Sequence, residues 1–172
     1  MPPPTDADYT ELVHACWPGL YRTAYLLLGD AAEAEDLVQT ALAKTYASWL
    51  KVRDLEAAPG YARTTMVNTA TSWFRRRSWR NERPTETLPE RAGSQHDPSD
   101  RPALVTALAE LPPRQRATVV LRFYDDLSVA ETATVLGVSE GTVKSQTSEA
   151  LAKLRVLLGD EVVPQTLGAP RD

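Results

Sequence analysis

LSVAETATVLGVSEGTVKSQTSEAL, residues 127 to 151, carries the pattern from which the fold is read. Leu127, Ala130, Ala133 and Leu136 recur at three- and four-residue spacing, as the apolar face of a helix does. Gly137-Val138 then breaks the pattern. A chain that reverses within three residues needs a left-handed backbone position, which glycine adopts without steric cost. Ser139 stands where it can cap a second helix, with a buried stripe of Val143, Thr147, Ala150, Leu151 and Leu154. Two helices joined in this way present the start of the second to a DNA major groove. Ala133 is small where the two cross closely. On the outer side, Thr142, Lys144, Ser145, Gln146 and Ser148 are short hydrogen-bonding groups suited to phosphates and base edges, which argues against a plain helical hairpin.

Outward from that stretch, the 172 residues show no β-branched runs of period two, and glycine and proline gather at segment ends. An all-α chain follows, long enough for one large or two small domains. The net charge of −4 excludes a protein that clings to nucleic acid by bulk charge, so any DNA contact must come from local patches. Cys16 is the one cysteine, which excludes an internal disulfide and a cysteine zinc site. His14 and His96 lie far apart without ligand-type neighbours, so no metal or other cofactor is predicted. The chain has no glycine-rich phosphate loop and no nucleophile-base set, and it is read as a non-enzyme. Its longest leucine run, Leu26 to Leu28, is too short for a signal peptide or membrane span, so a cytoplasmic protein is predicted.

The segments divide as follows. Residues 1–8 are polar and proline-rich and are read as disordered. Residues 9–80 form a first helical domain. Its first helix runs from Tyr9 to Leu28, bent or broken at Pro18 and ended by Gly29. Asp30 with Glu33 suggests a capping box for the second, whose inward stripe is Leu37, Val38, Ala41, Leu42, Thr45, Tyr46 and Trp49. Pro59 opens a third helix reaching about Trp79. Residues 81–102, rich in Pro, Glu, Asp, Ser and Gly, read as a flexible acidic linker. Residues 103–158 form a second domain, with short helices at 103–111 and 113–123 before the helix-turn-helix. Residues 159–172 lack a pattern and read as a fraying tail.

On a helical wheel of 100° per residue, Ala62, Ala70 and Trp73 fall beside Met66 as the buried stripe of the third helix. Tyr61, Thr64, Asn68, Thr71 and Arg75 fall on the other side. No acid occurs between Glu56 and Glu82, while Arg63, Arg75, Arg76, Arg77 and Arg80 all lie there. An aromatic and an amide beside an arginine run suit nucleic acid: arginine for phosphates, Asn68 for a base edge, Tyr61 to stack on an exposed base. The alternative is a solvated helix whose basic end complements the helix dipole. On the second helix, Glu33, Asp36, Gln39 and Thr40 leave an acidic surface that faces either solvent or a basic protein partner.

These three features in this order resemble the extracytoplasmic-function sigma factors, in their small two-domain, actinobacterial SigE-like type. The likeness covers about Tyr9 to Leu158. EDLVQ at Glu35 to Gln39 resembles the polymerase-binding segment of region 2, which implies contacts from Glu35, Asp36, Leu37, Val38 and Gln39. PGYARTTMVNTATSWFRRR at Pro59 to Arg77 resembles the segment that reads the −10 element and melts DNA. That implies roles for Tyr61 and Asn68, with Thr64, Thr71, Arg75, Arg76 and Arg77 beside them. The stretch from Leu111 to Arg155 resembles region 4, which implies −35 contacts from Thr142, Lys144, Ser145, Ser148 and Glu149. The resemblance further implies two helical domains, a region 2 bundle and a region 4 helix-turn-helix. Its implied partners are bacterial core RNA polymerase, through the β′ clamp helices and the β flap, and promoter DNA; an anti-sigma factor is left open. Glu149 departs from the family's usual arginine, and Thr40 from the usual acid after EDLVQ. Two other readings stay open on the residues alone: a stand-alone helix-turn-helix regulator, and an adaptor that docks on polymerase without reading DNA. The implied mechanism has polymerase holding the two domains apart on one promoter, so that the free factor binds promoters poorly.

Overall fold

A computed structural model describes residues 2–81 and 101–160, and every regular element among them is helical. Helix α1 spans Asp6–Leu28. Thr5 accepts from the Asp8 N–H at 3.2 Å, and the Asp8 carboxylate accepts from the Thr5 N–H at 2.7 Å, so both halves of a capping box form. Trp49 Nε1 donates to the Thr5 carbonyl at 2.8 Å. The start of the chain is thus ordered from Thr5 onward, where composition predicted disorder to Asp8: local capping and a buried tryptophan outweigh the prolines. Helix α1 also continues through Pro18 as one element. Its packed residues on either side of the proline, Leu12, Leu20, Ala24 and Leu27, hold it together. Gly29 ends it in the left-handed region at φ 73°.

Helix α2 spans Ala31–Ala47 and is capped by Asp30, which accepts from the Glu33 N–H at 2.9 Å. The reciprocal half of the predicted box is not made, because the Glu33 carboxylate pairs with Arg77 instead. A 3₁₀ turn, Trp49–Lys51, follows and leads to α3, Ala58–Asn81. Tyr46, predicted to face inward, is 48% exposed, and its ring lies over Tyr9 at 4.8 Å. Ala34, Leu37, Val38 and Ala41 of α2 pack with Ala62, Met66 and Ala70 of α3 and with Ala24 and Leu27 of α1, closing a three-helix bundle.

The second half begins with α4, Arg101–Ala109, and α5, Pro113–Val119. The helix predicted to reach Phe123 changes at Val120 into one π turn, Val120–Tyr124, where the Asp125 N–H bonds back five residues to the Val120 carbonyl at 3.1 Å. Asp126 follows at φ 56°, a left-handed position rarely held by a residue other than glycine. Helix α6, Val129–Leu136, opens with a second capping box, Ser128 with Glu131, and closes at Gly137 with φ 65°. Helix α7, Glu140–Leu158, is capped by Ser139, which accepts from the Thr142 N–H at 3.1 Å. Val143, Ala150 and Leu154 are its buried stripe; Thr147 and Leu151 are half-buried.

The two halves pack against each other. One core runs through both, with Leu27 and Ala70 from the first half and Leu108, Val120 and Leu154 from the second. Val67 of α3, 1% exposed, packs in a cluster with Leu121, Leu127 and Val135. Burying one such valine stabilises the arrangement by about 1.5–3 kcal/mol. The predicted linker falls almost wholly on residues 82–100, and the predicted tail mostly on 161–172; both stretches lie outside the described residues.

Candidate nucleic-acid interface

On α3, Tyr61, Asn68, Arg75 and Arg76 are exposed, whereas Thr64 and Thr71 are half-buried. The Thr71 hydroxyl donates to the Val67 carbonyl at 2.9 Å, so its donor is used within the helix. Arg77 is paired to Glu33 of α2, both side chains being partly exposed. Such a pair adds at most about 1 kcal/mol of stability, but it fixes where this guanidinium points. Asn68, Thr71 and Arg75 do not open onto bulk solvent alone. Together with Pro112, Arg114 and Gln146 of the second half they line a cavity of about 610 Å³ along the seam.

On α7, Lys144, Ser145, Ser148 and Glu149 are exposed. Thr142 is half-buried, its hydroxyl 2.9 Å from Ser139 Oγ. Ser145 Oγ donates to the Thr142 carbonyl at 3.1 Å. Glu149 is held toward α5, where its carboxylate accepts from Gln115 Nε2 at 3.0 Å. Gln146 was read as an outward group, and the structure corrects this: its side-chain carbonyl accepts from Thr118 Oγ1 at 3.0 Å, tying α7 to α5. Lys144 and Ser148 instead share a groove of about 300 Å³ with Arg122 and Arg155. The sequence reading missed Arg155, although its spacing of 7 from Ser148 and 11 from Lys144 places all three on one side of a helix.

On α2, Glu35, Asp36 and Gln39 are exposed, with Gln39 Nε2 donating to Glu35 Oε1 at 3.2 Å. Leu37 and Val38 are 0% exposed. They are core residues beneath the acidic ridge.

Three seam residues escaped the sequence reading. Arg116, 9% exposed, donates to four carbonyls: Leu108 at 2.8 Å, Ala109 at 3.1 Å, Leu111 at 3.0 Å and, across the seam, Leu27 at 2.7 Å. Its guanidinium also lies 5.3 Å from the centre of the Phe74 ring. Asp125 accepts from Thr23 Oγ1 at 2.6 Å and lies 3.5 Å from Arg63 Nε. Burial pushes the Asp125 carboxyl above its ordinary range, while the Thr23 hydrogen bond and the charges of Arg63 and Arg22 pull it back. Next to it, burial pushes the Tyr124 hydroxyl up to about 12. Val67 is the third; an apolar side chain a quarter-turn off the buried stripe was its only signal.

Comparison with known proteins places the chain in a family. Residues 12–80 match the Sigma-70 region 2 family, and residues 101–154 match the Sigma-70, region 4 family. Over 166 residues the chain is 43% identical to the RNA polymerase sigma-E factor of Streptomyces coelicolor, covering 94% of this chain and 90% of that one. This chain belongs to the sigma-70 family, as a sigma factor of the extracytoplasmic-function type. It is also 30% identical over 141 residues to RNA polymerase sigma factor SigV of Bacillus subtilis, covering 82% of this sigma factor and 85% of that one. Among solved structures, the sigma factor RpoE of Bartonella quintana, in complex with the anti-sigma factor NepR, superposes with a TM-score of 0.72 at 26% identity. The match covers 90% of this chain and 98% of that one. The two-domain all-α architecture and the family read from the sequence are those found. As a sigma factor, the protein directs RNA polymerase in the initiation of transcription. Among the described residues no helix is long and apolar enough to cross a membrane.

Proposed function

We propose that this sigma factor reads the −10 element with the outer face of α3 and the −35 element with the start of α7, while α2 docks on core polymerase. In this reading Asn68 hydrogen-bonds a base displaced from the −10 duplex and Tyr61 stacks on it. Arg75 and Arg76 hold the strand's phosphates, Thr64 and Thr71 flank its path, and Arg77, held by Glu33, sets the edge of the basic strip. Lys144, Ser145 and Ser148 take base edges and phosphates of the duplex −35 element, with Thr142 at the helix start. Glu149, drawn aside by Gln115, spares the phosphates a like charge. Glu35, Asp36 and Gln39 face the β′ clamp helices, and the second half docks on the β flap. The protein acts in the cytoplasm as an initiation factor with no catalytic chemistry of its own. An anti-sigma factor as a further partner is supported by the Bartonella quintana relative, which was solved with one.

The observation that carries this reading is the segregation of charge between neighbouring helices. Exposed arginines, an amide and an aromatic share α3, while exposed acids share α2. DNA attracts the first surface and repels the second, and a basic protein surface does the reverse. Run-off transcription from genomic fragments with purified core polymerase tests it. Discrete start sites with the wild type, and core binding without promoter opening in an Arg75→Ala/Arg76→Ala variant, support the assignment. Core-bound factor that yields no start sites overturns it.

A further inference from the structure

We infer that Glu149, steadied by Gln115, selects cytosine at one position of the −35 element. This rests on the assignment of α7 to the −35 duplex and names the base that one of its side chains takes. Among the exposed groups of α7, Lys144, Ser145 and Ser148 carry protons to donate, and the carboxylate of Glu149 carries none. Against a phosphate it is repelled. On a helix laid in the groove it is therefore useful only at a base edge.

In the major groove guanine offers two acceptors, N7 and O6, and thymine offers an acceptor and a methyl group. Neither has a proton for Glu149. The donors there are the amino groups at cytosine N4 and adenine N6. Adenine sets the acceptor N7 beside its amino group, where a second carboxylate oxygen meets repulsion. Cytosine has no acceptor on that edge, so it suits a carboxylate best.

The carboxylate is steadied from outside α7. Gln115 of α5 donates from Nε2 to Glu149 Oε2 at 3.0 Å. Gln115 Oε1 is buried without a hydrogen-bond partner. Turning the amide over would bury Nε2 in its place and set Oε1 against the carboxylate, so the amide keeps one orientation. A free glutamate loses rotamer freedom when it binds, and Gln115 has already removed part of it. Gln115 is thus a positioning residue that acts through Glu149.

The neighbouring side chains agree. Ser145 lies one turn before Glu149 on the same face. Its hydroxyl donates to the Thr142 carbonyl at 3.1 Å, which leaves its lone pairs for DNA. Gln146 is withdrawn to Thr118 of α5. One flank of α7 therefore presents acceptors, Ser145 and Glu149. The other presents Lys144 and Arg155 beside Ser148, along the groove of about 300 Å³. Such a helix seeks amino groups on one side and phosphates or guanine on the other.

The test is transcription by core polymerase with the full chain, on a promoter recovered from the genomic fragments and varied one −35 position at a time. The wild type should favour cytosine at one position by about tenfold over guanine or thymine. Glu149→Arg should move that preference to guanine, whose N7 and O6 accept from a guanidinium, and leave the other positions unchanged. Gln115→Leu should weaken the cytosine preference by about threefold, with the −10 preference intact. A merely structural loss would lower transcription on every template alike. A cytosine preference that survives Glu149→Ala, or a uniform loss in Gln115→Leu, overturns the inference while the assignment of α7 stands. A wild type that starts transcription but ignores every −35 position overturns that assignment as well.

Discussion

Helices α3 and α7, the two proposed to meet DNA, are displayed differently. On α7, Lys144, Ser145 and Ser148 stand exposed on a helix with its own cap and its own buried stripe. On α3, the polar face borders the seam, and the residue beside Asn68 is a valine sunk into the other half. A duplex-reading helix gains nothing from concealment, because duplex −35 DNA is available at all times. A helix that captures unpaired bases is useful only once polymerase has begun to separate the strands. The difference teaches that the two halves, each with a helix proposed to read DNA, are coupled by packing beside the polar face of α3.

Removing the guanidinium at the centre of the coupling should have the largest effect. Arg116→Ala leaves four carbonyls without their donor, and it should lower stability by about 3–5 kcal/mol. Denaturant titration followed by circular dichroism reads this. A loss below 1 kcal/mol would mean that the four carbonyls find other donors once the guanidinium is gone. Next, Asn68→Ala should weaken −10 discrimination by about 1–3 kcal/mol at a single base. Transcription from templates varied one position at a time measures it, and unchanged preference removes Asn68 from the reading set. Gly137→Ala acts on the other helix. No atom lies near an added Cβ there, so the cost is backbone strain alone, about 1–2 kcal/mol. It should show as weaker −35 binding with −10 preference intact.

A smaller effect is predicted for Arg75→Ala: a uniform loss of affinity across sequences, with the salt slope reduced by about one contact. A sequence-selective loss would make it a base reader. The smallest concerns pH. Burial raises the Asp125 carboxyl above its ordinary 3.8, against Thr23 and Arg22 on α1 and Arg63 on α3. The folded chain therefore binds a proton that the unfolded one releases. This contribution to stability is whole below pH 3.8 and is lost as pH rises through the raised value. Denaturant titration across the acid range should follow that drift, and Asp125→Asn should flatten it.

The helix-turn-helix was legible because its signals are local: Gly137 for the left-handed turn, Ser139 for the cap, and a three-four apolar stripe from Val143 to Leu154. The exposed face of α3 was legible for the same reason, since periodicity sorts Tyr61 and Asn68 from Met66. Periodicity also sorts Leu37 and Val38 into the core, and only the motif carried them into the docking set. What depends on contact between distant segments was not legible. Arg116, whose guanidinium meets a carbonyl 89 residues away, looks in sequence like any surface arginine of a short helix. Asp125 owes its place to a π turn that no spacing announces. Glu33 was assigned to a cap and Gln146 to DNA because a single helix shows no competing partner, and Arg77 and Thr118 supply those partners.

Energy transfer between dyes on the two halves tests the central claim most directly. Labels on cysteines introduced at Lys51 and Lys153, with Cys16→Ala, report the separation before and after core polymerase is added. The account predicts high transfer in the free sigma factor and a marked fall on binding. Equal transfer in both states would contradict it, since polymerase would then have nothing to uncover.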